Sequence, residues 1–478
     1  MDTLVGRKYE QELLTRIVES GNPEFLAVYG RRRVGKTFLI KQFFQNNFTF
    51  YFSGVESASM KKQLENFKLA CQNCFDIVLS TPESWSTAFA LLQDILSKSK
   101  KKGRKVIFID ELPWLATNGA GFIQAFEYFW NTYASANPDM LMIVCGSSTS
   151  WIINKIIKNR GGLHNRVTRQ MQLTEFSLSE CEEFVKSRKL LLDRKQIADY
   201  YAIIGGIPYY WQQLDKALGL PQNIDNLFFR KNGILRNEFE KIYNSLFKHS
   251  EKYIQIVTAL GEKRMGLTRE EIIRNTKLLD GGSVTRILEE LEQCGFVRAY
   301  TNFGKKRKDK LYQLVDFFSL FHLNFIAHSH PSDESYWTNI LNTPKYHSWI
   351  GYSFEQLCLA HIHAIRIKLG ISGVLTYTSS WRSRDGARPV STENSAQIDL
   401  VIDRNDRIIN LCEMKYAADE FVITKSINDN LRKKRAAFMS ETKTRKTVHT
   451  TMVTTYGVKH NEYWGNIQSE VIMDDLFV

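Results

Sequence analysis

Phe25-Leu26-Ala27-Val28-Tyr29 runs straight into Gly30-Arg31-Arg32-Arg33-Val34-Gly35-Lys36-Thr37, and Phe38-Leu39-Ile40-Lys41-Gln42-Phe43 follows. The first five residues are a β-rich apolar run, the last six a helical pattern, and the middle eight match GxxxxGK(S/T). A glycine-rich turn between strand and helix lets successive backbone amides wrap an anion, and the helix N-terminus adds a favourable dipole. Gly30, Arg31, Arg32, Arg33, Val34, Gly35, Lys36 and Thr37 are therefore expected to cradle the phosphates of ATP. Lys36 should reach the β and γ phosphates, and the Thr37 hydroxyl should help hold Mg²⁺. The side-chain charge of Arg31, Arg32 and Arg33 has a plainer explanation, because variable loop positions tolerate exposed charge.

Around this stretch, short β-rich runs alternate with helical patterns through residue 175: 25–29, 48–52, 106–109, 141–145 and 169–173. Such alternation predicts a parallel sheet with helices on both faces. Val106-Ile107-Phe108-Ile109 ends in Asp110-Glu111, and a buried parallel strand delivers its C-terminal carboxylates to the ligand edge of the sheet. Asp110 is expected to hold the metal's water shell and Glu111 to polarise the attacking water. Residues 141–145 end in Gly146-Ser147-Ser148, which brings small hydroxyls to the same edge.

GRRRVGKT, IDELPWLA, CGSSTSW, GGLHNR and GGIPYY occur in this order. On them the chain resembles the archaeal-type AAA+ ATPases, P-loop proteins of STAND-like kind, from Leu4 to about Phe247. The resemblance implies that Val5-Gly6-Arg7 lies near the adenine and that Gly205-Gly206-Ile207-Pro208 docks a helical lid. It also implies an arginine finger shortly after the small-hydroxyl strand. His164-Asn165-Arg166 stands there, so Arg166 is the candidate, with Arg160 and Arg169 as competitors.

Strand signals fade over residues 176–248, the expected lid. Residues 249–330 then read as helix, helix and hairpin. Thr268 and Glu271 make a capping box, Val284, Ile287, Leu288 and Leu291 repeat at helical spacing, and strands flank a basic turn. This is the pattern of a winged helix-turn-helix. Lys305, Lys306, Arg307 and Lys308 at its tip are candidate contacts to a DNA backbone. The helix over 283–293 would enter a major groove, yet Glu289, Glu290 and Glu292 on it weaken direct base reading. The alternative is a module that packs within the chain.

In residues 340–478, Ile398-Asp399-Leu400-Val401-Ile402-Asp403 and Ile408-Ile409-Asn410-Leu411-Cys412-Glu413-Met414-Lys415 read as paired strands. Glu413 and Lys415 share a face, and a five-residue loop, 404–408, would place Asp399 opposite Glu413. A four-residue loop would turn Asp399 away. Two carboxylates at that distance can bind Mg²⁺ while a neighbouring lysine orients water for attack on phosphorus. The D-x13-E-x-K pattern resembles the PD-(D/E)XK nuclease superfamily, with Ile398 where its proline would stand. Glu355 matches the acidic residue on that superfamily's first core helix. The resemblance implies metal ligation by Glu355, Asp399 and Glu413, and catalysis by Asp399, Glu413 and Lys415. Lys425, Arg432, Lys433 and Lys434 follow on a helix that touches a DNA backbone or is solvated. The polar stretch 379–395 reads as a mobile loop.

The chain has 478 residues, 64 Lys plus Arg against 51 Asp plus Glu, and a net charge of +13. That excess favours nucleic acid as partner, DNA ahead of RNA, over a membrane. Seven scattered cysteines are no disulfide framework and fit a reducing compartment. The opening MDTLVGRKYE has no apolar signal core, and the longest apolar stretch, 315–327, is shorter than the ~20 residues a spanning helix needs. The expected protein is a cytoplasmic α/β ATPase with four parts: P-loop core (1–175), lid, winged helix and nuclease-like domain. It couples ATP state to action on DNA and assembles as an ATP-dependent homo-oligomer. The alternative is a regulatory switch whose C-terminal domain binds DNA or protein without cutting.

Overall fold

The computed structural model describes residues 4–99, 103–117, 119–159, 161–305, 310–330, 332–383 and 396–478. The chain divides into two compact units, Met1–Glu175 with Ser245–Lys248, and Phe176–Asn244 with His249–Val478. Residues 176–244 of the segment expected to be the lid thus belong to the second unit together with residues 249–478, while 245–248 belong to the first.

The first unit is built on a parallel sheet of five strands: β1 Glu24–Tyr29, β2 Phe50–Ser53, β3 Lys105–Asp110, β4 Met140–Gly146 and β5 Arg169–Gln172. Their order is β2-β3-β4-β1-β5. Every residue of β1 and of β4 is buried. Continuous apolar runs of this kind belong to strands covered on both faces. One covering layer is rich in rings: Phe25 lies 4.9 Å from Trp130 and 5.6 Å from Phe126, and Trp85 stands edge-on to Phe122 at 4.8 Å.

The second unit holds two further sheets. In the first, β6 Leu267–Thr268, β7 Val297–Tyr300 and β8 Leu311–Leu314 form an antiparallel sheet ordered β6-β8-β7. Helices Ser250–Gly261, Arg269–Thr276 and Gly282–Gln293 accompany it, and Thr268 and Glu271 close their capping box. The second sheet comprises β9 Thr376–Arg382, β10 Gln397–Arg404, β11 Ile408–Lys415, β12 Thr447–Thr454 and β13 Ser469–Ile472, ordered β13-β12-β11-β10-β9. Strands β9, β10 and β11 are antiparallel neighbours, whereas β12 and β13 run parallel to β11. Helix Pro344–Ala360 precedes the sheet and helix Lys425–Thr442 makes the crossover from β11 to β12.

Residues 379–382 depart from the loop reading of 379–395: they complete β9, with Trp381 opposite Ile398. The reason is burial. Trp381 is 4% exposed in a cluster with Ile398, Val401, Leu411 and Phe438. The remainder of that reading, 384–395 with Arg384 and Arg388, lies outside the described residues.

The β7 strand continues into this second sheet. Asn302 bridges to Ser380 in parallel, the Phe303 amide donates to the Ser380 carbonyl at 2.7 Å, and the Phe303 ring lies 5.0 Å from Phe438. The hairpin is therefore packed within the chain through its apolar shoulder. Among the described residues, no helix is long and apolar enough to cross a membrane.

Phe303→Ala should remove this plug at a cost of about 2–3 kcal/mol, since the vacated space cannot fully collapse. Urea unfolding should report that loss, and limited proteolysis should cut the hairpin faster than in the unaltered protein.

Candidate functional site

The end of β1 meets β5 so closely that Gly30 has room for nothing larger. A Cβ there would sit 2.1 Å from the Leu173 carbonyl oxygen, and φ is +147°. After the turn, helix Lys36–Phe43 begins without a side-chain cap. Its first-turn N–H groups have no partner within the helix, so they are left to an anion. The Lys36 ammonium is buried and donates to the carbonyls of Gly30 at 2.8 Å and Arg31 at 2.9 Å. This seats the positive charge at the mouth of the loop.

The side chains of the three loop arginines differ in role. Arg31 is 4% exposed and pairs with Glu175 at 3.7 Å, which corrects the reading of this arginine as exposed charge. Arg32 is exposed, and Arg33 is half-buried with φ +72°. Val34 is buried, and its carbonyl accepts from Arg7 at 3.2 Å. The same guanidinium reaches the Thr174 carbonyl at 2.7 Å. Arg7 thus braces the phosphate loop against the segment leaving β5, a role no sequence signal announced.

Strand β4 separates β1 from β3, yet Thr37 spans the gap. Its hydroxyl donates to Asp110 Oδ2 at 2.8 Å, while Asp110 Oδ1 accepts the Glu111 amide at 3.0 Å. Glu111 has φ +46°, uncommon for a side chain of its size. Its Oε2 accepts from the Ser147 hydroxyl at 2.9 Å and the Ser147 amide at 3.2 Å. Lys36, Thr37, Asp110, Glu111 and Ser147 are therefore gathered on one sheet edge. The hard oxygen donors Thr37 and Asp110 suit Mg²⁺, which keeps several waters and takes one or two protein ligands.

Arg166 lies elsewhere. It is exposed in a turn, with its amide on the Leu163 carbonyl. Thr168, two residues on, is bonded to Phe25 near the start of β1, and Arg169 pairs with Glu24 at 3.8 Å. Arg169 stands beside Leu26, four strand residues or about 13 Å short of Gly30. That placement at the opposite sheet edge removes Arg169 as a finger for its own loop. Arg160 lies outside the described residues.

In the second unit, the β10–β11 register pairs Leu400 with Cys412 and Asp403 with Ile409. The strands are joined by residues 405–407; the ladder runs as far as Leu400–Cys412, and Asp399 and Glu413 lie just beyond it, where β10 carries a register shift between Ile398 and Val401. Gln397 donates to Asp399 at 2.6 Å. Glu413 is held by two lysines: Lys415 at 2.9 Å and Lys434, from the crossover helix, at 2.7 Å. Lys434 is thus an inward-facing member of the cluster and not a solvated one. Nothing in the linear sequence puts residue 434 on residue 413.

The electrostatics bind the group together. Burial pushes the Glu355 carboxyl up to about 7, with Asp399 and Glu413 pushing the same way and Lys415 opposing. Burial also raises Asp399, helped by Glu413 and countered by Gln397 and the lysines. Glu413 is buried too, but Lys434 and Lys415 outweigh that cost and hold it below the usual range. Among the described residues, no three acidic, histidine or cysteine side chains converge as a metal-ligand group. Oxygen donors suit Mg²⁺ in kind, but the lysines stand where a cation would meet Glu413.

At the hairpin, Lys305 is exposed, while Lys306, Arg307 and Lys308 lie outside the described residues. On helix Gly282–Gln293, Thr285 accepts from Arg269 at 3.1 Å and Arg286 pairs with Glu290 at 3.3 Å. The groups that would read bases are already engaged with their neighbours. At the Gly205-Gly206 element, the Gly206 carbonyl accepts the Phe176 amide at 2.7 Å, and a Cβ would lie 2.0 Å from the Phe176 carbonyl oxygen.

Residues 4–214 match the ATPase domain found predominantly in Archaea. Among curated proteins, an uncharacterized protein of Methanocaldococcus jannaschii is 25% identical over 358 residues, 74% of this chain and 76% of that protein. An uncharacterized ATP-binding protein of the same organism is 50% identical over 42 residues, 9% of this chain and 71% of that protein. Among solved structures, the Walker-type ATPase PABY2304 of Pyrococcus abyssi is 16% identical, with a TM-score of 0.48, covering 67% of this chain and 96% of that one. Residues 4–214 thus carry an ATPase domain, and ATP hydrolysis is the chain's enzymatic activity.

Glu111→Gln should leave ATP binding in place and cut steady-state phosphate release at least ~100-fold, as expected for loss of a general base. Lys36→Ala should instead weaken nucleotide binding itself, measured by fluorescent-nucleotide titration. Because the folded pKa of Glu355 is raised, its contribution to stability is fully present below pH 4.5 and lost as pH rises through about 7. Glu355→Gln should flatten that loss, worth about 3 kcal/mol, in unfolding curves taken between pH 4.5 and 8.

Proposed function

We propose that this protein is a cytoplasmic, Mg²⁺-dependent ATPase that acts on DNA, coupling ATP state to a nuclease-like C-terminal domain. The four parts of the reading are a P-loop AAA+ core, a helical lid, a winged helix and a PD-(D/E)XK-like domain. The observation that supports it is the β10–β11 register, together with the electrostatic influence that Glu355, Asp399, Glu413 and Lys415 exert on one another. The element order around them, helix, three antiparallel strands, crossover helix and parallel strand, supports the same reading. The +13 charge favours a nucleic acid partner. Seven cysteines, all free, suit a reducing compartment.

At the ATPase site, backbone amides of the loop bind the phosphates and Lys36 neutralises their charge. Thr37 and Asp110 would hold Mg²⁺, which supplies Lewis-acid polarisation of the transferring phosphoryl group. Glu111 accepts a proton from the attacking water while Ser147 fixes its carboxylate. Arg166, on the opposite sheet edge of its own subunit, serves a neighbouring copy in an ATP-dependent homo-oligomer. Mixing Lys36→Ala with Arg166→Ala protein should restore part of the turnover that each lacks alone.

A second reading is favoured by the two lysines on Glu413: a switch whose C-terminal domain binds DNA without cutting it. Plasmid, linear and branched DNA incubated with Mg²⁺, with and without ATP, separate the two. Cutting that vanishes in Asp399→Ala and changes with ATP supports the nuclease. Intact ATP turnover with no cutting supports the switch.

A further inference from the structure

A charged concavity of the second unit lies between the β7–β8 hairpin and the C-terminal sheet. It is a cavity of about 460 Å³ whose lining includes Arg264, Arg298 and Lys310 together with Glu355 and Asp399. Hairpin and sheet are fixed to each other, because Asn302 and Phe303 are bonded to Ser380 of β9.

Asp399 acts electrostatically on Arg298 and Arg264 on Glu355, but neither pair closes to a salt bridge. Among the described residues, none of the three cations has a carboxylate within 4 Å. Arg264 donates to the Ser348 hydroxyl at 2.8 Å and lies 4.9 Å over the Tyr352 ring. Arg298 bonds to the Gln313 side chain and lies 5.4 Å over Tyr300, while its Nε is buried without a hydrogen-bond partner. A guanidinium held against an aromatic ring is preorganised, and burying it without an anion is costly. Asp399 has Gln397 as its hydrogen-bond partner. Three cations against two carboxylates, with a buried guanidinium nitrogen left without a hydrogen-bond partner, suit an anionic ligand.

We infer that this cavity receives the phosphate backbone of a single, unpaired nucleic-acid strand, held by Arg264, Arg298 and Lys310. The inference rests on the nucleic-acid reading above and names its substrate form. Volume decides between strand and duplex: ~300–1,000 Å³ accommodates one small-molecule-sized ligand, so 460 Å³ holds a nucleotide or two and not a double helix. The roof cannot lift to admit a duplex without extracting Phe303 from the Trp381–Phe438 core. In this arrangement the hairpin module contributes to recognition through residues that line the cavity, and not through a helix laid in a major groove.

The test is fluorescence anisotropy with the full-length protein in EDTA, using a labelled 12-nucleotide single-stranded DNA, the matching blunt duplex, and an unlabelled mononucleotide as competitor. The single strand should bind at least ~10-fold tighter than the duplex. Arg298→Gln and Lys310→Gln should each weaken it several-fold and lower the log–log salt slope by about one. Arg298→Lys, which keeps the charge, should recover part of the binding, and thermal unfolding of each variant separates lost contact from lost fold. Equal affinity for duplex and strand, wild-type binding by folded Arg298→Gln and Lys310→Gln, or full competition by the mononucleotide would each overturn the inference. Cleavage is scored separately in Mg²⁺. Strand binding that depends on Arg298 without any cutting leaves the inference standing and removes the nuclease. Asp399-dependent cutting of duplex that Arg298→Gln and Lys310→Gln leave unchanged does the reverse.

Discussion

A strand covered on both faces can present a charged group only where it ends. In the first unit this constraint places all the chemistry on one edge of the sheet. The β1 and β4 strands are buried along their whole length, so Lys36, Asp110, Glu111 and Ser147 all follow or finish a strand. The Thr37–Asp110 bond crosses the end of β4 to join strands that are not neighbours. It forms because β1, β4 and β3 stop at the same level. Desolvation of an unpaired carboxylate is costly, so the Thr37 hydroxyl and the Glu111 amide on Asp110 support the fold as well as the site.

The second unit obeys a different rule. Its carboxylates lie on the face of a mixed sheet, where half-burial keeps them interactive without removing them from solvent. Glu413 and its two lysines show the consequence: opposite charges offset the burial cost, whereas burial pushes Glu355 up to about 7 against the opposing charges of Lys415 and Arg264. This unit also joins the lid segment to the C-terminal sheet. The His361 ring accepts the Leu178 amide at 3.1 Å, and its other nitrogen lies 2.9 Å from the Leu357 carbonyl. Lys195 and Asp199, on helix Arg194–Ile204, pair with each other beside Tyr416, the residue after Lys415. Helix Arg194–Ile204 thus touches the residue that follows the strand carrying Glu413 and Lys415.

Local patterns were legible wherever periodicity and motif spacing coincide. The phosphate loop, the carboxylates ending β3 and the capping box at Thr268 each depend on residues a few positions apart. The β10–β11 alternation likewise required one loop length to bring Asp399 and Glu413 together, and the register is that one. The polar composition of 379–395 concealed the end of β9, because Trp381 is a lone aromatic residue among polar neighbours, of which Ser380 and Ser383 are themselves buried. The hairpin's cationic run suggested a ligand, while the contact it makes within the chain is through Phe303, an apolar residue packed on a core assembled from strands far along the chain.

The sequence by itself determined the nucleotide site, the parallel sheet that presents it and the pairing of the two C-terminal carboxylate strands, since turn chemistry and side-chain alternation act over short separations. Tertiary structure alone decided that Arg169 sits on the wrong edge of the sheet, that Lys434 turns inward to Glu413, and that Arg264 and Arg298 share a cavity with Glu355 and Asp399. Those juxtapositions join residues from about 20 to 145 positions apart. Their energies depend on burial and on which charges meet across packed surfaces, quantities that no window of sequence contains.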